Sequence, residues 1–358
     1  MKNKIDHIEI KNFKSLKSVS FDCKRINLFV GKPNTGKSNL LEAISLYGAC
    51  MTSYSDNKFF LSEYIRFNNF NDLFFDHIVG EPIHIKSNIG TAILRYHDNI
   101  NYYDLIISTD NNILKKLPSN IALQLVEKAF DKIYENIEPV NGSLTSIYYQ
   151  INKAGYLGHY SSSIGFSPIK KYEFKHQKDF PRRWHLFLSP PFGDNLYTIA
   201  DKNKAIHDYI VKIFKEYKLK FLFKGEETKF DVQKQIKGKA YSFEYNLVAD
   251  TIQRMFFYYA AIFSNKDSVL LFEEPEVHAF PPYVTELAQL IIERKENQYF
   301  IVTHSPFLLN TIIENTPSKD VAVFNVKYEN WKTQVTPYTE KEISHILNYG
   351  IDIFDKIK

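Results

Sequence analysis

One eight-residue stretch constrains this 358-residue chain more than any other: Gly31-Lys32-Pro33-Asn34-Thr35-Gly36-Lys37-Ser38, set between an apolar run and a helical pattern. The run before it, Ile26-Asn27-Leu28-Phe29-Val30, reads as a strand buried on both faces. After it, Leu40, Leu41, Ile44 and Tyr47 recur at three- and four-residue intervals, which predicts a helix over 39–47. The stretch fits G-x-x-x-x-G-K-[ST], in which glycines let backbone N–H groups and a helix N-terminus converge on phosphate. In that pattern Lys37 reaches the β and γ phosphates, and the Ser38 hydroxyl ligates Mg²⁺. Gly31, Asn34, Thr35, Gly36, Lys37, Ser38 and Asn39 are therefore the expected nucleotide-binding residues.

Two further strand ends carry chemistry. Val269-Leu270-Leu271-Phe272 runs into Glu273-Glu274-Pro275-Glu276, placing carboxylates where open α/β sheets bind ligands. One carboxylate there can hold Mg²⁺ and the next can orient an attacking water. The run Phe300-Ile301-Val302 ends in Thr303-His304-Ser305, a histidine placed to sense a γ-phosphate.

Period-two alternation covers residues 5–22, where Ile8, Ile10, Val19 and Phe21 face one side, and returns over 83–108 as a small meander. Helical spacing marks Leu123, Val126, Phe130, Ile133 and Ile137, and again Ile206, Ile210, Ile213, Phe214 and Tyr217. A hairpin is expected around Lys237-Gly238-Lys239, and helices over 250–263, after Pro281-Pro282 and from Pro306. Strand and helix alternate at both ends of the chain, which argues a mostly parallel α/β sheet with an inserted α+β middle domain. The expected boundaries are 1–112 for the first part of the head, 113–238 for the insertion and 239–358 for the second part.

The order of these motifs resembles ABC-type ATPases of the OLD and SMC-like branch, P-loop heads of AAA type. The opening Ile8-Glu9-Ile10-Lys11-Asn12-Phe13-Lys14-Ser15-Leu16 is similar to their first strand, and Tyr349-Gly350-Ile351-Asp352 to their ending. The resemblance covers residues 1–80 and 245–358. It implies a head that binds ATP and Mg²⁺, with Lys37 and Ser38 on phosphate and metal, Glu274 as catalytic carboxylate and His304 as switch histidine. It also implies a homodimer or larger assembly with ATP between heads, a separate effector protein, and a role in DNA repair or defence against phage. With a short remainder after His304, any nuclease is expected on a different polypeptide.

Two features depart from the family pattern. The metal-side acid, usually Asp, is Glu273, one methylene longer. The loop that reaches across a head dimer usually reads Ser-x-Gly, whereas the matching stretch here has Ala249 for Ser and Thr251 for Gly. Loss of the hydroxyl removes a phosphate donor, and a side chain at Thr251 hinders close backbone approach, so slow hydrolysis is expected unless Gln253 and Arg254 compensate. A nucleotide-dependent switch controlling a protein partner is the competing expectation. The glutamine of the loop linking metal to the inserted domain has no clear match, and Arg66 to Asp76 is its expected location.

Charge decides little by itself. Lys and Arg number 45 against 41 Asp and Glu, a net +4 that does not argue for a polyanion partner. The surplus gathers in two windows, 170–185 and 212–224. The first mixes cations with aromatics, so Lys170, Lys171, Lys175, Arg182 and Arg183 are candidates for a nucleic-acid surface. The longest apolar run, Met255 to Phe263, falls well short of the ~20 residues of a membrane span. With two cysteines and no leader-like apolar stretch at the start, a cytoplasmic chain without membrane contact is expected.

Overall fold

A computed structural model describes residues 1–51, 60–98, 101–109, 146–153, 155–162, 167–181 and 185–348. The chain opens with β1 (His7–Phe13) and β2 (Leu16–Asp22), paired antiparallel, and then β3 (Ile26–Val30), whose five residues are all buried. Next comes α1 (Lys37–Ser45), two residues earlier than the apolar spacing alone indicates, because Gly36 at φ +96° starts the helix from a left-handed turn. The expected meander follows as β4 (Ile83–Ser87), β5 (Gly90–His97) and β6 (Tyr102–Ser108), extended by β7 (Ser146–Asn152) and β8 (Leu157–Ser162). Together with β1 and β2 these strands make a seven-stranded antiparallel sheet in the order β2-β1-β4-β5-β6-β7-β8.

The remaining elements are β9 (Ile169–Tyr172), α2 (Leu196–Lys202), α3 (Lys204–Glu216), β10 (Lys220–Lys224), β11 (Lys229–Ile236) and β12 (Lys239–Glu244). They continue with α4 (Asp250–Ser264), β13 (Val269–Glu273), α5 (Pro281–Glu293), β14 (Gln298–Val302) and α6 (Pro306–Asn315). β15 (Val321–Glu329), β16 (Lys332–Pro337) and α7 (Glu340–Asn348) complete the series. A second sheet of six strands runs β16-β15-β3-β14-β13-β9, parallel except for β16. This is the expected α/β P-loop architecture, with the phosphate loop leaving the sheet beside the ends of β13 and β14.

Proline and serine set the helix starts in the second half: Pro281-Pro282 open α5, and Ser305 caps α6 by accepting from Leu308 N at 3.3 Å. Residues 113–238 are expected as an insertion, and the described part of them contributes to the parallel sheet and its core. Within them β9 completes the parallel sheet along β13, and Leu196, Ile206, Phe214 and Phe230 enter the same hydrophobic cluster as α4 and β13. The helix expected over 123–137 and the ending 349–352 lie outside the described residues. Among the described residues, no helix is long and apolar enough to cross a membrane.

Candidate functional site

Gly31 leaves β3 at a point where a side chain does not fit: a Cβ there would lie 2.2 Å from the carbonyl oxygen of Val326 on β15. At Gly36 two constraints coincide, the left-handed φ and a Cβ position 2.1 Å from Thr333 Oγ1 on β16. Thr333 fixes the loop from below. Its hydroxyl donates to Thr35 O at 2.9 Å and lies 2.7 Å from Ser15 Oγ, while its backbone N–H donates to Ser15 O at 2.8 Å. The β15–β16 hairpin and the β1–β2 turn therefore form the floor of the phosphate loop.

On this floor the loop holds Lys37 almost out of solvent, at 5 % exposure, with Nζ donating to Gly31 O at 2.9 Å and Lys32 O at 2.7 Å. Burial depresses the Lys37 pKa, and the carboxylates of Glu274 and Glu273 pull it partly back. Carbonyl oxygens are weak partners for a desolvated ammonium, so the loop favours an arriving anion. The cleft above it, about 820 Å³, is lined by Asn34, Lys37, Ser38, Glu274, His304 and Arg66, among others. Thr35 and Asn39 also line the cleft and brace it, Thr35 Oγ1 donating to Lys32 O at 2.9 Å and Asn39 Nδ2 to Ser15 Oγ at 2.7 Å.

The acidic strand end enters the same cleft. Glu274 adopts φ +44°, a costly conformation for a residue with a Cβ, and is held there by its N–H donating to Val302 O at 2.9 Å. Its Oε1 lies 3.6 Å from His304 Nε2. Burial, reinforced by the Lys37 charge, lowers the His304 pKa below its ordinary 6.5 against the opposing pull of Glu274. Behind them Glu276 accepts from Thr303 Oγ1 at 2.6 Å and from His304 N at 2.9 Å, fixing the loop that carries the histidine. Burial raises the Glu276 pKa, and its Oε2 is a buried atom without a hydrogen-bond partner.

Glu273 sits deeper. Its carboxylate meets Arg66 Nη2 at 3.2 Å and Lys171 Nζ at 3.8 Å. Arg66 Nε also donates to the fully buried Glu42 at 2.7 Å, and Lys14 Nζ meets the other Glu42 oxygen. Arg66 thus ties α1 to the end of β13 at the wall of the cleft. The sequence pointed to it only as the first residue of a positional window; Lys14 lay within the opening stretch with no role attached, and no motif marked Glu42 or Thr333.

Ser38, Glu273 and Glu274 offer hard oxygen donors suited to Mg²⁺. Among the described residues no three His, Cys, Asp or Glu side chains converge as a metal cage. Few protein ligands with phosphate supplying the rest is the arrangement Mg²⁺ favours, so the residues present fit this ion in company with a nucleotide.

The loop with Ala249 and Thr251 starts α4, and three of its polar side chains are engaged within the protein. Thr251 Oγ1 donates to His278 O at 2.7 Å, and Gln253, 1 % exposed, donates to Val248 O at 2.7 Å. Arg254 pairs with Asp250 at 2.6 Å and lies over the Phe174 ring at 4.7 Å. Neither Gln253 nor Arg254 is presented outward as a substitute phosphate donor.

The proposed nucleic-acid surface is corrected in part. Lys170 and Lys171 belong to the buried strand β9, at 5 % and 2 % exposure. Lys170 Nζ donates to Asn265 Oδ1 at 2.8 Å and Ser268 Oγ at 2.9 Å, and Lys171 Nζ to Tyr64 O at 3.0 Å. A short, buried edge strand with satisfied lysines mimics a basic surface in sequence. Arg182 and Arg183 lie outside the described residues.

The profile of a family described as "AAA domain, putative AbiEii toxin, Type IV TA system" matches residues 26–310. No curated protein matches the chain. Among solved structures, an SMC head bound to the C-terminal winged-helix domain of ScpA is similar at TM-score 0.49 and 15 % identity, covering 96 % of this chain and 99 % of that one. An SMC head domain from Thermotoga maritima gives 0.38 and 12 %, over 94 % and 99 %. An Smc head with an extended coiled coil, bound to the C-terminal domain of ScpA derived from Pyrococcus furiosus, gives 0.44 and 12 %, over 97 % and 99 %.

Proposed function

The chain belongs to this family of AAA domains, and from that premise we propose that it binds ATP with Mg²⁺ and hydrolyses it slowly, as a homodimeric or larger head that controls a separate effector protein. The observation that carries the reading is Lys37, a buried ammonium held by two neutral carbonyls at the start of α1 and opening onto the cleft. A triphosphate replaces those carbonyls with anionic oxygens and adds the field of the helix N-terminus.

Asn34, Gly36, Lys37 and Ser38 line the place for the phosphates, and Glu274 beside His304 takes the proton of the attacking water. His304, neutral at pH 7, accepts or donates a hydrogen bond at that water without adding positive charge. Ser38 and Glu273 would hold Mg²⁺, which when bound neutralises charge on the phosphate oxygens. The family description names a toxin of a Type IV TA system, which favours a defence role over DNA repair for a cytoplasmic head of the OLD and SMC-like branch.

The internally satisfied loop at Ala249–Arg254 favours a second reading, a nucleotide-dependent switch that barely turns over. Phosphate release by purified protein, wild type against Glu274→Gln, separates the two. The enzyme reading expects Glu274→Gln to lower turnover about a hundredfold or more while ATP affinity holds. Equal rates would leave only the switch.

A further inference from the structure

The phosphate cleft has a neighbour. A second cavity of about 530 Å³ shares Ser15, Arg66 and Tyr328 with it and continues past Phe74 and Phe75 to Trp331. Tyr328 and Trp331 belong to the β15–β16 hairpin, the element whose Thr333 bolts down the phosphate loop. In the hairpin register Tyr328 lies directly opposite Thr333, so the two side chains share one face. The hydroxyl of Thr333 faces the phosphate loop, and the ring of Tyr328 is held beside it.

The tip of this hairpin is unusual. Glu329 pairs with Lys332, which leaves Asn330 and Trp331 as a two-residue turn, both left-handed at φ +52° and +62°. A turn of this kind favours Asn followed by Gly, and the chain instead places tryptophan in the glycine position. A bulky residue there is strained, yet the ring is 82 % exposed and Tyr328 is 46 % exposed. Neither core packing nor turn chemistry accounts for two exposed aromatic rings anchored to a phosphate loop.

We propose that Tyr328 and Trp331 form the nucleobase subsite, stacking the base of a nucleoside triphosphate whose phosphates lie on Gly31–Ser38. The two cavities then hold one ligand, the triphosphate in the first and the base in the second, with the shared wall at Tyr328 where ribose joins them. Stacking on aromatic faces is tolerant of base identity, so the subsite separates nucleotides from bare polyphosphate more than ATP from GTP. The proposal rests on reading the cleft as a nucleotide site.

The test compares ATP with inorganic tripolyphosphate, which presents phosphates and no base, by calorimetry in the presence of Mg²⁺. Trp331→Gly removes the ring and relieves the turn, so the thermal midpoint should hold or rise while ATP affinity falls about tenfold and tripolyphosphate affinity stays unchanged. Trp331→Phe should restore most of the ATP affinity, and Tyr328→Ala should repeat the selective loss. Trp331 is one of two tryptophans, so ATP should also quench the intrinsic fluorescence where tripolyphosphate does not. If wild type binds ATP but Trp331→Gly and Tyr328→Ala leave the ratio of the two affinities unchanged, the subsite is overturned and the phosphate site stands. If wild type binds neither ligand, the nucleotide reading itself fails and the subsite goes with it.

Discussion

The two loops that a head of this kind would bring to a nucleotide are built in opposite ways. Around Gly31–Ser38 the polar groups are supported from below and left with weak partners above: Lys37 has only carbonyls, and Thr333 fixes the loop from the protein side. Around Ala249–Arg254 the polar side chains are already satisfied, Thr251 by His278, Gln253 by Val248, and Arg254 by Asp250 and Phe174. An unsatisfied loop gains free energy from a ligand, whereas a satisfied one must break existing bonds to contribute. The difference teaches that binding in this chain is separable from any reach across to a second head.

Lys37→Ala should break the comparison outright. Loss of this buried ammonium is expected to weaken ATP binding about a hundredfold or more, measured by calorimetry, because each charge-assisted hydrogen bond contributes ~1.5–3 kcal/mol. Retained affinity would mean that the loop does not hold phosphate.

Acidification sharpens the comparison next, because His304 beside the first loop has a depressed pKa. With the folded pKa of His304 below 6.5, its neutral form is favoured by the fold, so the contribution to stability is present above pH 6.5 and is lost as pH falls through the lower folded value. Turnover should be flat from pH 7 to 8 and decline below 6.5, and His304→Asn should remove that decline from the pH-rate profile. An inflection that survives the substitution belongs to another group.

Thr333→Val tests the floor. It keeps the shape and removes the hydroxyl that donates to Thr35 O, at a cost of about 1 kcal/mol and a loss of ATP affinity of roughly fivefold. The smallest effect is expected at Arg254→Ala. Its pairing with Asp250 is local, so turnover should change by less than about twofold and stability by ~1 kcal/mol at most. A large fall in turnover with intact folding would show that Arg254 leaves Asp250 to act across a dimer.

What sequence revealed and what it hid divide along the range of the interactions. The phosphate loop, the acidic end of β13 and His304 were legible because each is a short word whose meaning depends on the strand before it. The supports were not. Thr333 acts on Thr35 from 298 positions away, and Arg66 joins Glu42 and Glu273 across 24 and 207 positions. Lys170 and Lys171 misled for the same reason, since the groups that satisfy Lys170, Asn265 and Ser268, come 95 and 98 residues later. Local periodicity reports which face of an element is apolar. It does not report which distant backbone oxygen will satisfy a buried charge.

The link between Thr35 and Thr333 also orders events in time. During synthesis the phosphate loop and Ser15 of its floor emerge near the beginning, but Thr333, the other half of that floor, emerges 298 residues after Thr35. Until then Gly36 faces no hairpin, and the Thr35 carbonyl lacks the hydroxyl of Thr333 that donates to it. If the cleft takes a nucleotide as proposed, a copy that stops before β16 should bind ATP more weakly than the whole chain even with its motif intact. On that reading the hairpin couples nucleotide affinity to a late step in assembling the head.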